Sequence, residues 1–316
     1  MQSENIYDLI IVGGGPAGAS AAIYAARKKL KSVLILKEWG GQSVVSDDIQ
    51  NWIGTPHISG MELSKNLQRH TEEYAGDCLS IKTGLYVKNA KTLTTDNQKI
   101  IEVTLENGEV INARALLVAT GSERRKLDIP GADVYEHKGL TYCATCDGPM
   151  YSQMDVAVIG GGNAGFESAA QLLAYCKSVT LLSRSSPRAD EITIQKLQQN
   201  PNFKLIINAV PKEIFGDKFV TSMTYTDTVT NEEKELLVEG VFVEVGQVPA
   251  TSWVKDIVNL DENNKIKIDP WTGRASEDNL IWAAGDATNI LYHQNNIASG
   301  DAVKALEDIY KTLKTK

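Results

Sequence analysis

Apolar residues in this chain gather in short unbroken runs. Tyr7–Val12 (YDLIIV), residues 33–36, residues 115–119 (ALLVA), Asp155–Ile159 (DVAVI), residues 178–182 (SVTLL) and residues 279–284 (NLIWAA) are the clearest. Runs of four to six aliphatic residues bounded by glycine predict strands covered on both faces, as in a parallel sheet. Residues 85–87, 100–105 and 110–111 predict a meander, with turns at Asp96-Asn97 and Asn107-Gly108. Residues 204–207, 220–226 and 236–245 are strand-like, and a last helix is expected over about 300–313.

Two of these strands run into the same kind of turn. Tyr7–Val12 is followed by Gly13-Gly14-Gly15-Pro16-Ala17-Gly18 and an alanine-rich helix to about Lys29, and Asp155–Ile159 by Gly160-Gly161-Gly162-Asn163-Ala164-Gly165 and a helix over 166–175. Each is β-α-β with G-x-G-x-x-G at its first turn. The first glycine permits the tight turn, the second lets the backbone approach a pyrophosphate, and the third lets helix pack on strand. The pyrophosphate then meets the free N–H groups and positive dipole end of the helix. Glu38, 20 residues past Gly18, stands near where a ribose-binding carboxylate is expected. The competing reading is a glycine-rich turn with no ligand. Two such units, about 147 residues apart, predict two different dinucleotides. One flavin and one nicotinamide is the economical pair, because hydride passes between them.

At 316 residues, two domains are expected, each large enough for its own core. The net charge of −8 argues against a nucleic-acid binder. Residues 9–26 carry no charge, but Gly13 to Gly18 interrupt them, and Glu4 and Asp8 replace the basic start of a leader. No membrane segment is expected, and the expected location is cytoplasmic.

Of four cysteines, Cys143 and Cys146 form a C-x-x-C, while Cys78 and Cys176 stand apart in amphipathic segments, as small buried hydrophobes do. The four histidines are scattered, so no zinc site is expected. Thiols at i and i+3 close a small disulfide, and one of them can exchange with an outside disulfide. Asp147, next to Cys146, is placed to take and return the proton this chemistry needs. The competing readings are two buried thiols or half a zinc knuckle.

Together these motifs resemble the low-molecular-weight thioredoxin reductase family, and the C-terminal portion of the alkyl hydroperoxide reductase flavoprotein. They are GGGPAG at Gly13, GGQ at Gly40, IQNW around Asn51, ATG at Ala119, CATCDGP at Cys143, GGGNAG at Gly160, GQVP at Gly246 and AAGD ending at Asp286. The resemblance implies an α/β fold of two Rossmann-like dinucleotide-binding domains, of the class II pyridine nucleotide-disulfide oxidoreductase type. An FAD-binding domain of residues 1–117 and 247–316 would carry an inserted NAD(P)H-binding domain of residues 118–246, hinged near Thr120-Gly121 and Gly246-Gln247, in a homodimer. FAD would meet Gly13, Gly15, Pro16, Ala17, Gly18, Glu38, Gly41, Gln42, Asn51, Thr120, Gly121, Gly285, Asp286 and Gln294, with Val87 near the adenine. The nicotinamide cofactor would meet Gly160, Gly162, Asn163, Ala164, Gly165 and Gly246. In the family the second cysteine, here Cys146, lies on the flavin, and the first, Cys143, attacks the partner disulfide.

The chain departs from the family in two places. His293-Gln294-Asn295 stands where Arg-Gln-Ala is usual. The phosphate loop, Ser183-Arg184-Ser185-Ser186-Pro187-Arg188, is one residue short. Ser183, Arg184 and Arg188 suit a 2′-phosphate, and no acid there favours NADH. The expectation is NADPH, with NADH and ferredoxin left open, and a solvated basic loop as the competing reading. The implied activity is reduction of a protein disulfide, that of thioredoxin or a glutaredoxin-like protein. The alternative is a carrier in peroxide reduction. The alkyl hydroperoxide relative has an extra N-terminal disulfide domain, and a first strand beginning at residue 7 leads us to expect none here. A redox-dead FAD scaffold would require a lost dithiol, and an oxidase would consume NAD(P)H without a thiol acceptor.

Overall fold

A computed structural model describes residues 6–46, 49–95, 98–142, 144–276 and 280–314, without the side chains of Val45, Thr95, Thr145 and Cys146. The expected turn at Asp96-Asn97, Asn279 and Cys143 lie outside the described residues. The chain forms two compact units, Met1–Glu123 with Val248–Lys316, and Arg124–Gln247.

The first unit is built on a seven-stranded sheet. Six of its strands are β1 (Tyr7–Val12), β2 (Ser32–Leu36), β3 (Leu79–Thr83), β4 (Val87–Thr95), β5 (Gln98–Leu105) and β6 (Val110–Val118), in the order β3-β2-β1-β6-β5-β4, and the seventh is Ile281–Ala283. β3, β2, β1 and β6 run parallel, and β4 and β5 add an antiparallel flank. The first half of β6 pairs with β5 and its second half with Ile281–Ala283. Both faces of β1 are covered, which accounts for its unbroken apolar run. Leu9 and Ile11 pack with α1 (Pro16–Arg27) and the final helix Asn295–Lys314, while Ile10 and Val12 pack with Ile101, Val103 and Ile281.

Several elements differ from the sequence expectation, which also names no strand at β3 and no helix over Glu191–Gln198. Residues 110–111 and 115–118 belong to one strand, which ends before Ala119; Asn112 and Arg114 face partly outward between buried Ile111, Ala113 and Ala115. Residues 236–245 are two strands. Glu233–Leu237 pairs antiparallel with Val220–Asp227, whereas Gly240–Val243 pairs parallel with Asp155–Ile159. Helix α2 (Gly60–Ala75), capped by Ser59 Oγ accepting from Glu62 N–H at 3.1 Å, has no counterpart in the sequence expectation. The chain leaves the first unit after Glu123 rather than at 117/118, since Val118 still pairs in the sheet and Ala119 N–H donates to Val12 O at 2.8 Å.

Asp308 fastens the final helix to this sheet. It accepts from Trp282 Nε1, on a fully buried ring, at 2.9 Å and from Arg274 Nε. Burial pushes the Asp308 carboxyl up, but these two donors and the nearby positive charges outweigh it and hold it below the usual range. Asp308→Asn is expected to cost about 2 kcal/mol at pH 7. A folded-state value that is depressed contributes stability above the unfolded value of about 3.9, and the contribution is lost as pH falls through the folded one. Urea melts should therefore separate the two proteins at pH 7, with the gap starting to close only below about pH 4 and vanishing below the folded-state value.

The second unit repeats the plan. β7 (Leu140–Thr141), β8 (Asp155–Ile159), β9 (Ser178–Ser183), β10 (Phe203–Ile207) and β11 (Gly240–Val243) form a parallel sheet in the order β10-β9-β8-β11-β7. Helix α3 (Asn163–Leu172) follows the glycine turn, and an antiparallel sheet of Ala209–Gly216, Val220–Asp227 and Glu233–Leu237 is attached.

Candidate functional site

The two glycine turns share one steric logic. At the first glycine of each, φ is strongly positive, +126° at Gly13 and +142° at Gly160. A Cβ there would lie 2.0 Å from Ala119 O or 2.1 Å from Glu244 O. A Cβ on the third glycine would lie 1.8 Å from Gly13 O at Gly18, and 2.0 Å from Gly160 O at Gly165. These four glycines are required by the packing of the fold itself.

The middle glycines differ. Gly15 (φ −78°, ψ −173°) and Gly162 (φ −97°, ψ −179°) have backbone angles open to any residue. A Cβ at Gly162 would meet nothing within 4 Å, and one at Gly15 only Gly41 Cα at 4.0 Å. Each is the N-cap of its helix, with no side chain capping it and no acid in the first turn. The first-turn N–H groups therefore have no N-cap side chain to satisfy them.

Around the first turn the structure assembles most of the expected residues. Gly285 (φ +72°) brings Asp286 beside α1, since a Cβ on it would lie 3.5 Å from Ala17 Cβ and 3.2 Å from Ala298 Cβ. Gly41 faces Gly15, and Gln42 donates its amide to Ser122 O (2.6 Å) and Ser122 Oγ (2.9 Å). Asn51 donates to Gln294 Oε1 at 2.8 Å, Asn296 to Asn51 O at 2.6 Å and Ser43 Oγ to Asn295 Oδ1 at 2.8 Å. Two loops are thus tied to the start of the final helix. Glu38 is exposed, and its carbonyl backs Gly14. Gly84 N–H donates to Lys37 O and Leu85 N–H to Leu36 O, which carries half-buried Val87 toward the same end of β2. Thr120 Oγ1 is spent on Ala250 O at 2.7 Å, and Gly121 O accepts from Ala250 N–H at 3.0 Å, so both serve the first chain crossing.

In the second unit, Arg188 N–H donates to Gly161 O at 2.7 Å and Asp190 N–H to Asn163 Oδ1 at 2.8 Å, which folds the loop after β9 over the start of α3. Ser183 is buried and donates its hydroxyl to Ser185 O at 2.7 Å, so it shapes the loop. Arg184 and Arg188 are exposed, with no ion pair among the described residues. Ala164 is exposed in the first turn of α3, and Gly246 O accepts from Arg125 N–H at 2.9 Å at the second crossing. Glu244, which no sequence motif marks, follows β11. It accepts from Ser168 Oγ at 2.8 Å, and burial, ahead of Glu167's like charge, pushes its carboxyl up.

Of the C-x-x-C, Cys146 is described by its backbone, within the short helix Ala144–Asp147. Buried Ala144 and Gly148, whose added Cβ would lie 3.2 Å from Leu172 Cδ2, anchor this turn on the second unit. Asp147 Oδ2 accepts a hydrogen bond from the buried hydroxyl of Thr141. The nearby Tyr151 hydroxyl is pushed up by burial, then by the Asp147 charge. Buried Cys176 is pushed up to about 11 by desolvation, which makes it an inert thiol at neutral pH.

A family model described as pyridine nucleotide-disulphide oxidoreductase matches residues 7–302. Among curated relatives, an "NADH dehydrogenase" of Bacillus subtilis is 38% identical over 95% of this chain and 57% of its own length. An alkyl hydroperoxide reductase of Staphylococcus epidermidis is 39% identical over 95% of this chain and 57% of its own. The chain thus spans a little over half the length of these relatives. Among solved structures, the thioredoxin reductase of Lactococcus lactis superposes with a TM-score of 0.84 at 32% identity, covering 98% of this chain and 100% of that one. That of T. acidophilum superposes at 0.82 and 34% identity, covering 98% and 99%. Among the described residues, no helix is long and apolar enough to cross a membrane.

Proposed function

The chain belongs to the pyridine nucleotide-disulphide oxidoreductase family, and from that premise we propose that it carries electrons from NADPH, through FAD and the Cys143–Cys146 dithiol, to the disulfide of a thioredoxin-type protein. The family uses FAD and a pyridine nucleotide, and the residues present fit both. Gly15 and Gly162 each leave, at an uncapped helix start, a space that a Cβ would fill and the fold does not. FAD, when bound, accepts a hydride and passes the electron pair on.

The chain's own part is binding and proton handling. Gly13 to Gly18, Gly41, Asn51 and Asp286 hold FAD, and Gly160 to Gly165 hold the nicotinamide dinucleotide. Cys143 attacks one sulfur of the partner disulfide and releases the other as a thiolate; Cys146 then attacks the Cys143 sulfur of this mixed disulfide, closing the Cys143–Cys146 bond and releasing the partner's remaining sulfur. Asp147, oriented by Thr141, gives a proton to the departing thiolate. The observation that carries this reading is that the short helix carrying Cys146 belongs to one unit of a chain whose two units each have an open glycine turn. Likeness to alkyl hydroperoxide reductase supports a second reading, in which the acceptor is a peroxide-reducing carrier. Anaerobic flavin reduction by NADPH, NADH and reduced ferredoxin, followed by turnover with thioredoxin, tests the proposal. Failure of both nicotinamides to reduce the flavin would refute it.

The reductant rests on Arg184 and Arg188. A charge-assisted arginine–phosphate contact is worth about 1.5–3 kcal/mol, or roughly 10- to 150-fold in affinity. Arg184→Ala should weaken kcat/KM for NADPH by about that factor and leave NADH nearly unchanged. Equal losses with both cofactors would remove the 2′-phosphate assignment.

A further inference from the structure

Lys265, His293 and Asp286 stand in a row in the first unit. Lys265 Nζ lies 2.7 Å from His293 Nε2. On the other side of the ring, Nδ1 is buried 3.3 Å from Asp286 Oδ1, without making a hydrogen bond. The lysine is held in place by its backbone. Its N–H donates to Asp261 Oδ1 at 2.9 Å, and the next residue, Ile266, exchanges hydrogen bonds with Ala287 O (2.8 Å) and Asn289 N–H (3.0 Å). The strand-like segment that carries Lys265 therefore runs beside the turn that carries Asp286.

An ammonium group has three donors and no acceptor. Facing it at 2.7 Å, His293 Nε2 has to accept, and the proton of the neutral ring then belongs to Nδ1, on the side of Asp286. Asp286 in turn follows Gly285, whose added Cβ would lie 3.5 Å from Ala17 Cβ in the first turn of α1. A carboxylate there shares the dipole end that favours a pyrophosphate, and two anions at one helix start repel. A cation behind the carboxylate offsets that repulsion and fixes which oxygen faces the cofactor.

We propose that Lys265 is a positioning residue of the FAD site, acting through a fixed Nδ1–H tautomer of His293 to orient and charge-compensate Asp286. This rests on the reading of the first unit as the FAD unit. The chain has four histidines, so ¹⁵N-histidine labelling of the full chain loaded with FAD gives a resolvable ring spectrum, with His293→Asn identifying the signal. At pH 8 His293 should show the Nδ1–H tautomer. In Lys265→Met the ring should revert to the Nε2–H form that free histidine prefers. The FAD dissociation constant, read from flavin fluorescence, should rise about tenfold. Lys265→Arg should restore both. An Nε2–H ring in the wild type overturns the proposal, and so does a Lys265→Met variant that binds FAD as the wild type does. A wild type that binds no FAD would instead strike the reading of the unit, and its ring tautomer would still decide the Lys265–His293 contact.

Discussion

Cys146→Ser is expected to keep FAD bound and reducible by the nicotinamide while losing disulfide-reductase turnover by a factor on the order of a thousand or more. The reason is stoichiometric. A dithiol delivers two electrons to a partner by forming its own disulfide, and a lone Cys143 can only form a mixed disulfide that nothing in the chain resolves. Neither remaining thiol substitutes. Cys176 is buried and pushed up to about 11, and Cys78 lies far from the C-x-x-C in sequence, before β3 of the other unit. Cys143→Ser should lose turnover equally, because the attacking thiolate is gone. Covalent trapping separates them: Cys146→Ser should accumulate a mixed disulfide with thioredoxin on gels without reductant, and Cys143→Ser should not. Wild-type turnover in either variant would remove the pair from the mechanism.

The second large effect is a split between the two glycine cradles. Gly15→Val should lose FAD by more than about 100-fold in affinity, since a branched side chain occupies the space where the backbone meets the pyrophosphate. Gly162→Val should stay yellow and become refractory to the nicotinamide by a similar factor. Folding should survive in both, because the backbone angles suit any residue and no protein atom lies closer than 4.0 Å to either added Cβ. Gly18→Ala is the contrast. Its Cβ would fall 1.8 Å from Gly13 O, so it should lower the melting temperature sharply. Measured together, flavin content, nicotinamide binding and thermal melts give three distinct phenotypes. A swapped pattern would exchange the assignments of the units.

The features legible in the sequence are those whose physics is local. A glycine turn between a buried strand and a helix states its own geometry, and both turns are where their sequences place them. The continuous aliphatic runs mark strands covered on both faces. Alternating β6 reads as two pieces because Asn112 and Arg114 interrupt the run, and 236–245 reads as one because hydrophobicity does not say which sheet a strand joins. Contacts between distant positions are not legible. Nothing near Asn51 announces Gln294, 243 residues later, and nothing near His293 announces Lys265. Thr141 is only six residues from Asp147, yet the contact depends on a two-residue edge strand at β7. Residue type suggests a phosphate contact at Ser183, while its hydroxyl is donated within its own loop.

The most direct test of the central claim is a thiol count. The chain has four cysteines, and if Cys143 and Cys146 are the redox couple, the oxidised protein holds two thiols and two sulfurs in a disulfide. The protein is reduced anaerobically with a pyridine nucleotide, quenched in denaturant with an alkylating reagent and weighed by mass spectrometry. Alkylated sites should rise from two to four, with both new sites on the Cys143–Cys146 peptide. A flavin that bleaches fully while the count stays at two would contradict it, because the electrons would then have no path to the dithiol.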